Sequence, residues 1–156
     1  MRGSWLEIRG DLLDQPTDVI VNAWNRNFLP WWLLWPQGVS GAIRRRAGTA
    51  PFREVWRAGI MPVGGAVLTS AGRLPHQGII HVAGLHAHWM ASEFSIRQSV
   101  RSALAIVAAQ RFTSVAFPVI GGGTGGLRAG DALRYMRETV LEVNPAAEVR
   151  IVHFTP

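Results

Sequence analysis

Short runs of β-branched and aliphatic residues alternate along this chain with stretches of helical period, and that alternation restricts it to a layered α/β fold. Trp5-Leu6-Glu7-Ile8 alternates large and charged residues, and Asp18-Val19-Ile20-Val21-Asn22-Ala23 is a β-branched run. Both read as strands, with a Gly10-Asp11 turn between them. Four more strands are expected at Gly65 to Ser70, Gly78 to Ala83, Thr113 to Val119 and Glu148 to Phe154, each bounded by Gly, Pro or polar residues. Most show little polar alternation, the pattern of a sheet covered on both faces. Phe94, Val100, Leu104 and Val107 recur at helical spacing within Ser92 to Gln110, as do Leu133, Met136 and Val140 within Asp131 to Val143. Shorter helices are expected from Ser40 to Ala47 and from Phe52 to Ala58.

Length and composition set the class. With 156 residues, 48% of them hydrophobic and 17% charged, the chain has the balance of one packed domain over 1–156, with no linker, internal repeat or low-complexity tail. No apolar run approaches the ~18 to 20 residues that cross a bilayer, and MRGSWLEIRGD lacks the hydrophobic stretch of a signal peptide, so a cytoplasmic address is expected. The absence of cysteine removes disulfide scaffolds, zinc-thiolate sites and thiol nucleophiles together. All 16 basic residues are arginine, giving a net charge of +6. Arginine grips phosphate bidentately, which suits a polyanion, but scattered arginines on solvated faces are the plainer reading. Only Arg44, Arg45 and Arg46 form a run, read as facing water at the start of a helix. His81 falls in a buried-type strand and reads as a core residue. His86 and His88 lack the neighbouring partners of a metal site, and none is expected.

Two loops have the makings of phosphate sites. Ile120-Gly121-Gly122-Gly123-Thr124-Gly125-Gly126-Leu127 follows a strand ending at Pro118-Val119 and precedes a helix; successive bare amides there can form a nest for phosphate oxygens. It lacks the lysine of a Walker A loop and the spacing of a Rossmann fingerprint. Gly38-Val39-Ser40-Gly41-Ala42-Ile43 opens a helix with Ser40 where an N-cap is expected, and helix N-termini attract anions. Gly10-Asp11-Leu12 ends the first strand, where the carboxylate either accepts from an exocyclic amine or caps the following turn. Asn22 and Asn25 leave the end of the second strand, as ribose contacts or as turn residues.

Taken in order, these segments resemble the macrodomain family over nearly the whole chain. Gly10-Asp11-Leu12 with 18–25 is similar to its opening signature, 38–43 to its first phosphate loop, Leu74-Pro75 through Ile79–Gly84 to its central strand, and 115–127 to its second phosphate loop. The resemblance implies a three-layer α/β/α fold around a mixed sheet of about six strands, binding ADP-ribose as ligand or product without a cofactor. It implies that Asp11 holds the adenine amino group. The loops 38–43 and 121–126 wrap the diphosphate, with Pro118, Ile120, Leu127, Leu12 and Ala23 lining the site, and Asn25 faces the distal ribose.

The chain departs from the hydrolytic branch with a GGGVD-type loop. Its acidic position is Ser40, the aromatic of the second loop is replaced at Gly125, and the segment Arg26 to Gln37 is longer and carries Trp31, Trp32 and Trp35. Those tryptophans either fold over the distal ribose or pack against a neighbouring helix. The favoured function is hydrolysis of ADP-ribose from acidic side chains of modified proteins, or of esters such as O-acetyl-ADP-ribose, with Asn25 and Ser40 as catalytic candidates. The alternatives are a non-catalytic reader of ADP-ribose and, from the arginine excess, action on ADP-ribosylated nucleic acid. A monomer with no membrane partner is expected.

Overall fold

The computed structural model describes residues 4–33, 38–86, 90–122 and 126–154. A six-stranded sheet runs through the molecule: β1 (Trp5–Gly10), β2 (Val19–Trp24), β3 (Ala66–Thr69), β4 (Gly78–Ala83), β5 (Ser114–Pro118) and β6 (Glu148–Phe154), in the order β1-β6-β5-β2-β4-β3. Every pairing is parallel except that of edge strand β3 with β4, so the sheet is mixed, as expected.

Strand geometry sends alternate side chains to opposite faces, and the core divides accordingly. Val19 and Val21 of β2, Ile80 and Val82 of β4, and Val115 and Phe117 of β5 bury one face under α3 (Glu93–Ala109) and α4 (Ala129–Val143). Ile20 and Trp24, Ile79 and Ala83, and Ala116 bury the other under α1 (Gly38–Ala47) and α2 (Ala50–Arg57). This is the three-layer α/β/α arrangement. Phe52 and Phe117, one in each layer, are fully covered, each burial contributing about 1.5–3 kcal/mol.

Local chemistry sets the helix ends. Ser92 caps α3 and exchanges hydrogen bonds with Ser95, closing a capping box, and α4 ends on Asn144 in the left-handed conformation. Arg97 of α3 pairs with Glu93 on its own helix and with Glu138 of α4, tying the two helices together.

Four sequence expectations need correction. Phe94 is 61% exposed and does not join the core; Ile96, Val100, Ala103, Leu104 and Val107 form the buried stripe instead, because the helix starts one residue after Ser92 and turns Phe94 outward. Asn22 lies inside β2, paired in register with His81, and does not leave its end. Ser40 sits inside the first turn of α1, which begins at Gly38, and so is not its cap. Arg44, Arg45 and Arg46 fall in the last turn of α1, where the helix dipole favours cations. There Arg44 lies over the Trp31 ring at 5.3 Å and Arg46 pairs with Asp11 and Asp14.

Candidate functional site

Strands β2 and β5 are parallel neighbours, and their outgoing connections diverge. From β2 the chain passes to α1 on one face of the sheet; from β5 it passes to α4 on the other. Such a switch opens a crevice at the carboxyl ends of the strands. Of the two glycine-containing segments singled out from the sequence, 38–43 forms the first turns of α1, and 120–127 falls in the connection from β5 to α4. The ends of β1 at Gly10 and of β4 at Ala83 lie on the same edge of the sheet.

At the end of β1, Asp11 caps a single 3-10 turn over Leu12–Asp14. Its Oδ1 accepts from the Leu13 amide at 2.9 Å, and its Oδ2 pairs with Arg46 at 3.2 Å. Each oxygen keeps a second lone pair for a ligand amine. Leu12 is fully buried among Ile20 and Phe52, so its side chain serves the core.

From Ser40 in the first turn of α1 a chain of hydrogen-bonded polar side chains runs into the buried sheet. The Ser40 hydroxyl donates to Asn22 Oδ1 at 2.8 Å. Asn22, with no solvent exposure, places Nδ2 3.1 Å from His81 Nδ1, and His81 Nε2 lies 2.9 Å from Thr69 Oγ1. Thr69 donates in turn to the Ser70 carbonyl at 2.9 Å. Burial holds the His81 imidazole neutral, its pKa lowered to about 3. Of these residues, Asn22 and Ser40 were singled out from the sequence, although Asn22 lies inside β2 and Ser40 inside α1. Thr69 and the polar role of His81 were not, since their link to Asn22 arises only from strand register across β2, β4 and β3.

Asn25 follows β2 and is 8% exposed. Its Oδ1 accepts from the Asn27 amide at 2.7 Å, an Asx turn that points Nδ2 away as the donor end without a hydrogen-bond partner among the described residues. Asn27, which sequence reasoning missed, holds this turn from below. It sits at φ 63°, accepts from Trp24 Nε1 at 2.7 Å and donates to the carbonyls of Val55 and Gly59, both at 2.9 Å. The residue type was the available signal, because asparagine tolerates the left-handed region.

Trp31 and Trp32 pack against the neighbouring helix. Trp31 stands 6.4 Å from the Phe52 ring and Trp32 meets Trp56 edge-on at 5.8 Å, both partners on α2. Trp35 lies outside the described residues. So do Gly123, Thr124, Gly125 and His88.

In the first loop, Gly38 has φ +56°, Val39 is half-buried, and Gly41, Ala42 and Ile43 turn inward beneath Ser40. In the second, Pro118 and Ile120 are buried, Gly122 is half-buried, and Gly121 adopts φ +80°, where an added Cβ would lie 2.8 Å from the Ala91 Cβ. Gly126 likewise has φ +78° and sits against Met90. Leu127 and Ala23 are half-buried. Gly84, at the end of β4, has its back against Ile120, so the central strand and the second loop approach closely. Among the described residues no group of three His, Asp or Glu is placed to hold a metal ion.

Known proteins share this arrangement. A protein of Streptomyces griseus named as macro domain-containing is 38% identical over 156 residues, spanning 94% of this chain and 85% of the relative. The O-acetyl-ADP-ribose deacetylase of Escherichia coli (strain K12) is 36% identical over 143 residues, 86% of this chain and 77% of the relative. Among solved structures, a mutant form of the Oceanobacillus iheyensis macrodomain with ADPR superposes with a TM-score of 0.83 at 27% identity, covering 97% of this chain and 85% of that one. A family profile described as Macro domain matches residues 21–136, from the middle of β2 to the middle of α4 and so across both crevice loops. The chain belongs to the Macro domain family.

Proposed function

We propose that the crevice binds ADP-ribose and that the protein hydrolyses ADP-ribose esters, either O-acetyl-ADP-ribose or ADP-ribose carried on acidic side chains. The observation that carries this reading is that β2 and β5, adjacent parallel strands, lead to two glycine-containing segments on opposite faces of the sheet. One is the helix N-terminus at Gly38 and the other passes through Gly121 and Gly126, which supports a reading in which backbone amides from both layers serve one crevice. The relative named O-acetyl-ADP-ribose deacetylase supports an ester as substrate.

Little acid–base strength is available, since Ser40 occupies the position of a carboxylate, and positioning supplies the rate. A diphosphate oxygen of the bound ligand orients a water. On the acetyl ester the water adds to the acyl carbon, releasing acetate and returning a proton to the ribose oxygen. On a protein ester it adds to the anomeric carbon as the carboxylate leaves. Asn25 Nδ2 donates to a distal ribose hydroxyl and fixes the sugar against that water.

The test pairs calorimetry on ADP-ribose with release of ADP-ribose from the acetyl ester and from a protein auto-modified on acidic residues. Asn25→Ala is expected to cut turnover about 100-fold while changing the ADP-ribose Kd by less than about 3-fold. Equal losses in both would assign Asn25 to binding alone. Binding without release on either substrate would make the protein a reader, and no binding would end the assignment.

A further inference from the structure

We propose that Thr69 and His81 are positioning residues that fix the hydrogen-bond polarity of Ser40, turning its hydroxyl into an acceptor toward the crevice. The use made of that acceptor in turnover rests on the hydrolase reading above; the polarity itself does not.

The argument runs from the buried end outward. The Ser70 carbonyl can only accept, so the Thr69 proton is committed to it at 2.9 Å. Thr69 Oγ1 must then accept, and its partner at 2.9 Å, His81 Nε2, carries the ring proton. In a neutral imidazole the other nitrogen is unprotonated, so His81 Nδ1 accepts from Asn22 Nδ2 at 3.1 Å. That fixes the carboxamide with Oδ1 toward α1, where it takes the Ser40 proton at 2.8 Å. Asn22 and His81 have no solvent exposure and Thr69 is 6% exposed, so water does not replace a missing partner at these three side chains.

The opposite order would remake the inner links with donors and acceptors exchanged but would take the Thr69 proton from the Ser70 carbonyl, leaving one hydrogen bond fewer. Ser40 therefore has no proton to offer a phosphate and no base to make it a nucleophile. Its lone pairs face outward and accept from the attacking water or from a ribose hydroxyl. In the related branch a carboxylate occupies this position, and a carboxylate is likewise acceptor-only; the relay gives a neutral hydroxyl the same polarity.

Nitrogen-15 NMR of the histidine rings reads the polarity directly. The His81 signals of the wild-type protein are expected to show a protonated Nε2 and an unprotonated Nδ1. Thr69→Val removes the Nε2 acceptor with little change in shape. It is expected to raise the Nδ1-protonated tautomer and to cut turnover of O-acetyl-ADP-ribose about 10-fold, with the ADP-ribose Kd within about 3-fold, while Thr69→Ser restores both spectrum and rate. A wild-type ring protonated at Nδ1, or Thr69→Val with an unaltered tautomer or an unaltered rate in an active enzyme, overturns the proposal. A wild-type protein that binds ADP-ribose but releases nothing would end the hydrolase reading alone, because the nitrogen spectra still decide the relay.

Discussion

His81 is completely buried and, among the described residues, has no anionic partner to stabilise a charge; it hydrogen-bonds Asn22 and Thr69 and meets the edge of the Phe52 ring at 6.1 Å. Its pKa is lowered to about 3 in the fold and returns to 6.5 on unfolding, so the unfolded chain binds the proton first as pH falls. Stability is then full above pH 6.5 and declines by about 1.4 kcal/mol for each pH unit from there toward 3. His76, also lowered by burial, acts in the same direction. Urea midpoints at pH 7 and pH 5 should differ in this sense, and His81→Asn should flatten the difference; an unchanged pH slope in that variant would refute the assignment. The sequence showed that His81 sits in a covered strand, yet it could not show the partner. Asn22 is 59 positions away, and the pairing depends on a register that a shift of one residue would abolish.

Among the elements, the connections carry the strain and the strands carry the order. Gly121 and Gly38 both need a positive φ, but they differ in surroundings: a Cβ at Gly121 meets Ala91 at 2.8 Å and Ile96 at 3.1 Å, whereas at Gly38 nothing lies within 4 Å. Gly38→Ala is therefore expected to cost about 1–2 kcal/mol, the conformational term alone. Gly121→Ala should cost about 1–3 kcal/mol more, because the clash is added to the same term. Combining Gly121→Ala with Ala91→Gly should recover the clash and leave the conformational cost, and thermal unfolding of the four proteins checks the ordering. Strand positions were legible because covered strands leave continuous β-branched runs, and β4 and β6 fall at Gly78–Ala83 and Glu148–Phe154 as read. The placement of Trp31 and Trp32 was not, since packing on α2 and folding over a ligand demand the same exposed-looking aromatic sequence.

For the whole molecule, the crevice is a joint between two layers: α1 and α2 pack on one face of the sheet, α3 and α4 on the other, and the adjacent strands β2 and β5 lead to opposite layers. A ligand held by both loops ties the layers together and binds the folded state alone. Saturation at 100 times its Kd should add about 2.7 kcal/mol and raise Tm by several degrees. ADP-ribose is expected to produce that shift in the wild-type protein and a smaller one in Gly121→Ala; no shift at saturating ligand would place the binding energy elsewhere. The layered class and the order of the loops were readable from periodicity, whereas the crevice followed from strand order, which brings β5 beside β2 although about ninety residues separate them.

The aromatic line beneath the first loop gives the molecule an optical property. With seven tryptophans and one tyrosine, indole rings dominate its near-ultraviolet absorption. Trp56, Trp32, Trp31, Phe52 and Trp24 follow one another at 5.8, 6.0, 6.4 and 5.3 Å, close enough for their transitions to couple. The innermost indole donates to Asn27, whose amide donates to Asn25. Two hydrogen bonds link this chromophore array to the Asn25 carboxamide proposed to face the distal ribose, so ADP-ribose binding is expected to change the near-ultraviolet circular dichroism of the protein without any label.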